Sequence, residues 1–428
     1  MMLTIYADQI TRRLTYTLSV IFEDRNIEYR LVNDVKSVKN APLPKLAYSE
    51  DSIFDEDATL YPSLILFEEE LIHHIVEKSE WNGEELLSID GVPDVLGSIF
   101  YIISLYDDFL NEETDEHDRN IGSKSLMFKM KWLNKLVIER WSESFISYIE
   151  AQNACSLNAK KIPFNIIPTF DIDNVFAYRL KIGWRKYMSI AKDLVKFDKF
   201  RLKERKEVLA GLKKDPYDTY EKIKGISARG FDVKVFWLLG EYGSFDRNVD
   251  YDNLHHRRLI AEVNEYADVG LHPSYQSNKS RVVLRDEKAR IEEILEKEIT
   301  HSRQHFLKVK LPYTFADLAK VGFTDDYSLG YADQIGFRAG IARPFIWYNL
   351  KENRPSKLKL HPISYMDGTL NEYMELNIDE AISLVKMLKS EVQNYGGNFV
   401  ALWHNETIGD YGKWKGWSRV LEETLTKD

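Results

Sequence analysis

The sequence predicts an α/β protein, with a parallel sheet or barrel in its C-terminal part and a smaller α/β domain before it. From Phe164 onward, short apolar runs alternate with amphipathic helical patterns, and repeated strand-then-helix units are typical of a parallel sheet or barrel. The length of 428 residues also exceeds the usual domain of roughly 100 to 200 residues. We therefore expect an N-terminal α/β accessory domain over residues 1–160 and a barrel-like domain over residues 161–428.

Each element follows from a local pattern. In the N-terminal part, Glu28 to Val32 and Leu60 to Phe67 are β-like, whereas Val95 to Leu110 is helix-like. In the C-terminal part, apolar residues recur at helical spacing over Glu287 to Glu298 and over 381–392. Apolar runs that end in polar residues predict strands over Phe164–Phe170, Val233–Leu239, Ala267–Leu271 and Asn398–Trp403. Because functional groups gather where such strands end, the polar residues after these runs are the first candidates for a site.

Composition excludes several classes of protein. The formal net charge of −10 argues against nucleic-acid binding, which usually leaves a basic footprint. Cys155 is the only cysteine, so the chain offers neither a disulfide framework nor a cysteine-based zinc site. Asp8 interrupts the N-terminus before a signal-peptide core forms, and the apolar run from Val95 to Tyr106 is shorter than the roughly 20 residues of a membrane span. We expect a cytoplasmic enzyme without a transmembrane helix.

Two carboxylates follow the first C-terminal strand. Asp171 and Asp173 stand in an Asp-x-Asp pattern, and in an extended strand alternate side chains share a face. Two carboxylates that converge on one pocket need a cation or a proton to compensate their charge. The pattern favours metal binding, although the same pattern also marks nucleotide-sugar glycosyltransferases or a loop cap.

Imidazoles follow three later segments. His272 and His404 each end an apolar run, where a neutral imidazole is a good zinc ligand and an imidazole of pKa about 6.5 suits proton transfer. Arg303 and His305 lie two positions apart and face one pocket if the segment is extended. An arginine there orients a carboxylate through a bidentate contact, or it forms a purely structural ion pair.

Two charged segments are interpreted as solvated surface. The acidic stretch from Asn111 to Arg119 contains Asp115, His117 and Asp118, which would allow a metal cluster, but charge runs are usually solvated and an interdomain loop is favoured. The Lys-rich region from Lys196 to Lys214 is interpreted in the same way, as a charged helix and connector rather than a phosphate site.

Taken in order, the motifs at 169–173, 270–274, 302–306 and 402–405 resemble those of the polysaccharide deacetylase family, carbohydrate esterase family four. The resemblance spans about 164 to 420. It is most similar to a bacterial subgroup with an extra N-terminal domain, which also carries motifs like those at 215–220, 336–340 and 414–417.

The resemblance implies a distorted (β/α) barrel that binds one divalent metal ion and hydrolyses an N-acetyl or O-acetyl group of a sugar or polysaccharide. Zinc is the expected metal, with nickel, cobalt or manganese as alternatives. Transferred to this sequence, the family's motifs imply Asp171 as the general base, Asp173 as a metal ligand and His404 as the general acid, with Arg303 holding Asp171. Arg338, Tyr275 and Trp403 are expected to contact substrate.

One departure from the family pattern concerns the metal ligands. The family places two histidines four residues apart, whereas here His272 is followed four positions later by Gln276. His305, Gln276, Ser277 or water would then complete the site. His305 is favoured, because imidazole is a far better ligand for a transition metal than an amide oxygen.

Two other functions stay open at this point. A nucleotide-sugar glycosyltransferase would use Asp171 and Asp173 on manganese but would leave His272 and His404 without roles. A non-catalytic carbohydrate-binding protein would keep the fold and lack a competent metal site.

Overall fold

The structure is a computed structural model and describes residues 2–54, 59–180 and 199–427. Its strands are β1 (Leu3–Ala7), β2 (Tyr29–Val32), β3 (Lys45–Tyr48), β4 (Thr59–Leu60), β5 (Val76–Trp81), β6 (Glu84–Ile89), β7 (Val92–Pro93), β8 (Phe164–Ile172), β9 (Lys234–Leu238), β10 (Asp268–His272), β11 (His301–Ser302), β12 (Asp325–Asp326), β13 (Phe345–Asn349), β14 (Arg354–Leu360), β15 (Tyr365–Met366) and β16 (Gly397–His404). Its α-helices are α1 (Arg12–Phe22), α2 (Val35–Lys39), α3 (Val95–Ile103), α4 (Tyr106–Leu110), α5 (Leu126–Lys129), α6 (Val137–Asn153), α7 (Lys199–Leu209), α8 (Tyr220–Ala228), α9 (Leu254–Asn264), α10 (Arg281–Leu295), α11 (Tyr313–Val321), α12 (Ile378–Tyr395) and α13 (Ser418–Thr424).

The N-terminal part contains two small sheets. One is four-stranded and parallel, in the order β2-β1-β3-β4, and the other is the three-stranded antiparallel sheet β5-β6-β7. Helix α1 crosses between β1 and β2 and begins at Thr11, whose side chain accepts a hydrogen bond from the Leu14 amide. Helices α3 and α6 pack against β6.

The C-terminal part is built on one nine-stranded sheet, in the order β13-β14-β12-β11-β10-β9-β8-β16-β15. Every pairing in it is parallel except that between β13 and β14. In the centre β8 is buried along most of its length, as expected for a strand covered on both faces. The protein is therefore a mixed α/β protein with a large, mainly parallel sheet. Closure of this sheet into a barrel stays a prediction.

The register of the central strands brings distant polar residues together. Strands β8 and β16 pair so that Asp171 lies opposite His404, and β10 pairs with β11 so that Leu271 lies opposite Ser302. Because parallel strands end at the same edge of a sheet, the residues that follow β8, β10, β11 and β16 meet there.

The N- and C-terminal parts contact each other through buried groups. A single hydrophobic cluster contains residues of both parts, and the Tyr16 hydroxyl donates to the Ile346 carbonyl over 2.7 Å. The buried carboxylate of Glu139 accepts from Arg343 over 3.0 Å, and Arg140 forms a bidentate pair with Glu391. The proposed division into residues 1–160 and 161–428 would place these contacts at an interface between domains.

Several sequence predictions differ from the structure in detail. The predicted strand over Leu60 to Phe67 is limited to its first residue, because the chain turns at Leu64, whose φ is 71°. The predicted helix over Val95 to Leu110 is divided at Leu105, whose φ of 60° is left-handed, into α3 and α4. The helix predicted to end at Glu298 ends at Leu295.

The structure describes most of the Lys-rich region from Lys196 to Lys214. Helix α7 confirms helical structure from Lys199 to Leu209, with one side buried through Glu204, Arg205 and Val208, while residues 196–198 lie outside the described residues. Within the described part of the chain, none of the helices is both long enough and apolar enough to span a bilayer.

Candidate metal and catalytic site

A cavity of about 190 Å³ lies at the edge where β8, β10, β11 and β16 end. It is lined by the predicted site residues Asp171, Asp173, His272, His305 and His404, together with Arg119, Phe306, Asp367, Tyr373, Glu406 and Trp414 among others. Polar residues that are separated by up to about two thirds of the chain, as Arg119 and Glu406 are, thus share one pocket.

Three of these residues could hold one metal ion. The ligand atoms of Asp173, His272 and His305 all lie within 4.8 Å of one another, and this is the only such group among the described residues. The Nε2 atom of His272 lies 3.2 Å from Asp173 Oδ1, and that of His305 lies 3.5 Å from Asp173 Oδ2. His305 therefore supplies the third candidate ligand, whereas Gln276 is exposed.

Hydrogen bonds orient both imidazoles. The Nδ1 atom of His305 lies 2.8 Å from a carboxylate oxygen of Asp246, and the Nδ1 atom of His272 contacts the backbone carbonyl of Arg303. Since each Nδ1 atom has an acceptor as its partner, it carries a proton, and the Nε2 atoms are directed at Asp173. This is the arrangement that fixes metal-binding histidines in proteins.

Asp173 and the neighbouring imidazoles shift one another's pKa values. Burial alone would raise the pKa of Asp173, but the charge of His305, the close contacts with the His272 and His305 imidazoles and the charge of His404 hold that pKa well below its usual value. Burial would lower the pKa of His305, yet Asp173 and Asp246 raise it to about 9. Asp173 Oδ1 is nevertheless buried without a hydrogen-bond partner. An orphaned carboxylate oxygen beside two imidazoles fits a divalent metal ion.

Arg303 holds the carboxylate of Asp171 through a buried ion pair. The guanidinium donates to Asp171 Oδ1 over 2.9 Å, to the Thr169 hydroxyl over 2.7 Å and to the Tyr327 carbonyl over 3.0 Å. Both members of the pair are almost fully buried, and the second oxygen of Asp171 lies 3.6 Å from His272 Nε2. Asp171 and Asp173 thus face the same imidazole, as their alternation along the strand predicts.

His404 faces the pocket from the neighbouring strand. Its Nε2 atom lies 3.9 Å from Asp173 Oδ2, while its Nδ1 atom lies 2.8 Å from Asp367 Oδ1. Burial would lower the pKa of His404, but Asp367, Asp173 and Asp171 raise it well above its usual value. The imidazole is therefore protonated at neutral pH in the metal-free protein. Beside it, burial raises the pKa of the Glu406 carboxyl.

The three predicted substrate contacts lie outside the lining of this cavity. Arg338 is buried and pairs with Asp108 over 2.7 Å. Trp403 is fully buried and donates to the Tyr365 hydroxyl, and Tyr275 stacks on Phe245 with ring centroids 4.3 Å apart. Their roles in substrate binding stay predictions, and each of the three side chains contacts another protein side chain.

The acidic stretch from Asn111 to Arg119 is solvated only in part, since Glu112, Glu113, Glu116 and Asp118 are exposed but two of its residues are buried. His117 and Arg119 are 8% and 7% exposed, and Arg119 lines the cavity. Arg119 can be buried because its guanidinium donates hydrogen bonds to acceptors from distant segments, which include the Phe306 carbonyl and the Tyr373 hydroxyl. A charge run by itself does not reveal such partners.

Sequence reasoning missed Asp246, Asp367 and Glu406 as well. Asp367 directly follows β15, so the rule that polar residues follow apolar runs would have found it had the short run Ile363 to Met366 been recognised as a strand end. Glu406 lies two residues after β16. Asp246 lies in the segment between β9 and α9, where no local pattern marks it.

Comparison with known proteins gave a partial match in sequence and distant matches in structure. Residues 3–154 match the model of a family of unknown function, DUF7033. Curated protein sequences gave no match.

Three solved structures illustrate the distant likeness. A proposed polysaccharide deacetylase from Mycobacterium smegmatis is 16% identical, with 63% of this chain and 86% of that chain covered and a TM-score of 0.41. A proposed polysaccharide deacetylase involved in O-antigen biosynthesis from Bordetella bronchiseptica is 14% identical, with 61% and 80% covered and a TM-score of 0.32. The polysaccharide deacetylase from Bacillus cereus is 10% identical, with 62% and 86% covered and a TM-score of 0.29. Likenesses this distant assign no role to any residue of the pocket.

Proposed function

We propose that this protein is a metal-dependent carbohydrate deacetylase that hydrolyses an N-acetyl or O-acetyl group of a sugar or polysaccharide. The observation that carries the proposal is that one cavity is lined by three residues that could hold a metal ion, a carboxylate held by an arginine and an imidazole held by a buried carboxylate. Asp171 and His404 are opposite each other in the register of adjacent strands, and Asp173 Oδ2 lies 3.9 Å from His404 Nε2.

Asp173, His272 and His305 would hold the metal ion. A site of one carboxylate and two imidazoles suits zinc, and cobalt, nickel or manganese are alternatives. When bound, such an ion polarises the acetyl carbonyl and lowers the pKa of a water molecule toward about 7.

Asp171 would act as the general base. Arg303 donates to one of its oxygens and fixes the direction of the carboxylate, and the other oxygen lies 3.6 Å from His272 Nε2. In this position Asp171 accepts the proton of the water that attacks the acetyl carbon.

His404 would act as the general acid. Asp367 binds its Nδ1 atom, so that the Nε2 atom carries its proton into the cavity. Nε2 then donates this proton to the departing nitrogen or oxygen of the sugar. A positioned proton donor of this kind contributes roughly 10² to 10⁴ in rate.

The remaining walls suit a sugar. Phe306, Tyr373 and Trp414 line the cavity, and Tyr373 is 47% exposed. Aromatic faces pack well against the apolar faces of sugar rings, and the hydroxyl groups at the edges of the sugar ring remain free for hydrogen bonds.

The proposal is tested by measuring acetate release. Purified protein, stripped with a chelator and reloaded with zinc, cobalt, nickel or manganese, is incubated with N-acetylated glucosamine oligomers and with an O-acetylated polysaccharide. We expect metal-dependent release of acetate that falls by at least about 100-fold in Asp171→Asn. Asp379→Asn, which changes an exposed carboxylate on α12, is the matched control.

The alternatives give different outcomes in the same experiment. Release of a nucleoside diphosphate from a nucleotide sugar, without acetate, would favour a glycosyltransferase. Stoichiometric binding of the glycan by a protein that takes up no metal would favour a non-catalytic carbohydrate-binding protein.

A further inference from the structure

The turn that carries His305 has an unfavourable backbone. A 3₁₀ turn spans His305–Leu307, and within it Phe306 has φ 62° and ψ 12° and Leu307 has φ 50°. Residues with a Cβ atom disfavour this left-handed region, and they occupy it only where surrounding contacts hold them. Something outside the turn must therefore keep His305 where it is.

A loop of the N-terminal part supplies these contacts. We call residues 114–120 the Asp115 loop, since its ends form a bridge between Thr114 and Asn120 and its backbone folds around one carboxylate. Asp115 Oδ1 accepts from the amides of His117 and Arg119 over 2.9 and 3.1 Å, and Oδ2 accepts from the Arg119 side chain over 2.7 Å. The loop thus presents Arg119 in a fixed direction.

Arg119 joins this loop to the turn. One of its terminal nitrogens donates to the Phe306 carbonyl over 2.7 Å, and the other donates to the Tyr373 hydroxyl over 3.1 Å. The His117 ring packs on the Phe306 ring, with centroids 4.9 Å apart, and Lys308 donates to the His117 carbonyl. The left-handed residue is therefore held at both its carbonyl and its side chain.

His305 depends on this turn for its position. Its imidazole is almost fully buried between two carboxylates, with Nδ1 2.8 Å from Asp246 and Nε2 3.5 Å from Asp173. Because Phe306 directly follows His305, a change of the Phe306 backbone would alter the position of the imidazole between these two carboxylates. Asp173 directly follows the last residue of β8 and His272 is the last residue of β10, so neither lies in this turn.

We propose that Arg119 is a positioning residue of the metal site, which holds His305 through the Phe306 carbonyl, and that the N-terminal part of the chain is therefore a constituent of the site rather than a separate accessory domain. This rests on the proposed function only in requiring that the site binds a metal ion. The region matched by the family of unknown function then has a role, which is to complete the pocket of the C-terminal sheet.

The experiment measures metal affinity in the full chain. Arg119→Met keeps the length of the side chain and removes its hydrogen-bond donors. Zinc affinity is measured by competition with a chromophoric chelator, and the ligand geometry is followed by the absorption spectrum of the cobalt-loaded protein. We expect Arg119→Met to weaken zinc binding by about 10- to 100-fold, as the loss of partners behind metal ligands does, with a changed cobalt spectrum. Arg119→Lys should recover part of this loss.

The matched control is Arg140→Met. Arg140 also joins the N-terminal part to the C-terminal part, through its bidentate pair with Glu391, but it does not line the cavity. Thermal unfolding of the metal-free variants reports any general loss of stability. Equal weakening of zinc binding in Arg119→Met and Arg140→Met, or wild-type affinity in Arg119→Met, would overturn the positioning role.

A double-mutant cycle separates His305 from the other ligands. In a His305→Ala background, Arg119→Met should cause no further loss of zinc affinity, because its effect passes through the missing imidazole. A loss of the same size in both backgrounds would overturn the inference while leaving the metal site intact. A wild-type protein that binds no metal would instead refute the proposed function, and this inference with it.

Discussion

The Nδ1 atom of His404 lies 2.8 Å from Oδ1 of Asp367, a carboxylate that is fully buried and 37 residues away in sequence. The same carboxylate accepts from the His404 amide over 2.9 Å and from the Thr407 hydroxyl. Asp367 therefore fixes both the backbone and the ring of the imidazole that faces the cavity, and it keeps the proton on that ring at neutral pH.

Replacing Asp367 by asparagine should disable proton donation by His404. Asp367 raises the pKa of His404, so its loss lowers that pKa, and the protonated imidazole is then lost at lower pH than in the wild type. We expect acetate release at pH 8 to fall by about 100-fold or more, with the alkaline limb of the kcat/KM profile shifted to lower pH. Asp379→Asn serves as the control. An alkaline limb that stays in place would show that His404 is not the acid.

Metal binding should release a proton near neutral pH. His305 has a pKa of about 9 in the metal-free protein, so it is protonated at pH 7 and must lose that proton to coordinate a metal ion. Zinc affinity should therefore rise as pH increases toward 9 and level off above it. Calorimetry in buffers of different ionisation enthalpy gives the number of protons released, which we expect to be about one at pH 7. His305→Ala should abolish this release.

His305 rather than Gln276 should be required for metal uptake. We expect His305→Ala to weaken zinc binding by more than about 100-fold, since it removes a ligand and not merely a partner of one. Gln276 is exposed, and Gln276→Ala should bind zinc like the wild type. Metal content after dialysis against a weak chelator compares the two variants. A greater loss of bound zinc in Gln276→Ala than in His305→Ala would instead identify Gln276 as the third ligand.

Loss of Arg303 should destabilise the protein as well as the site. The side chains of Arg303 and Asp171 are 0% and 3% exposed, so removal of the guanidinium leaves a buried carboxylate without its partner. We expect Arg303→Met to lower the free energy of unfolding by about 3–5 kcal/mol. Arg354→Met, which breaks the exposed pair with Glu352, should cost less than about 1 kcal/mol. Urea unfolding of both metal-free variants provides the comparison.

Much of the C-terminal sheet could be predicted from local patterns. The apolar runs that end near Asp171, His272 and His404 predict strands because buried parallel strands are continuously apolar, and the structure has β8, β10 and β16 there. Polar side chains at the ends of these strands line one cavity. The N-terminal elements were less predictable. Leu105 belongs to a continuous apolar run, yet its left-handed backbone divides one predicted helix into two.

Local sequence patterns are sufficient to predict which residues lie at the strand ends, because each strand is a short apolar run that ends in polar residues. The partners that orient these residues became visible only in the folded chain. Asp246, Asp367 and Arg119 reach His305, His404 and Phe306 across 59, 37 and 187 residues of chain. Contacts over such distances depend on how the sheet and the N-terminal part pack together, and no local pattern records them.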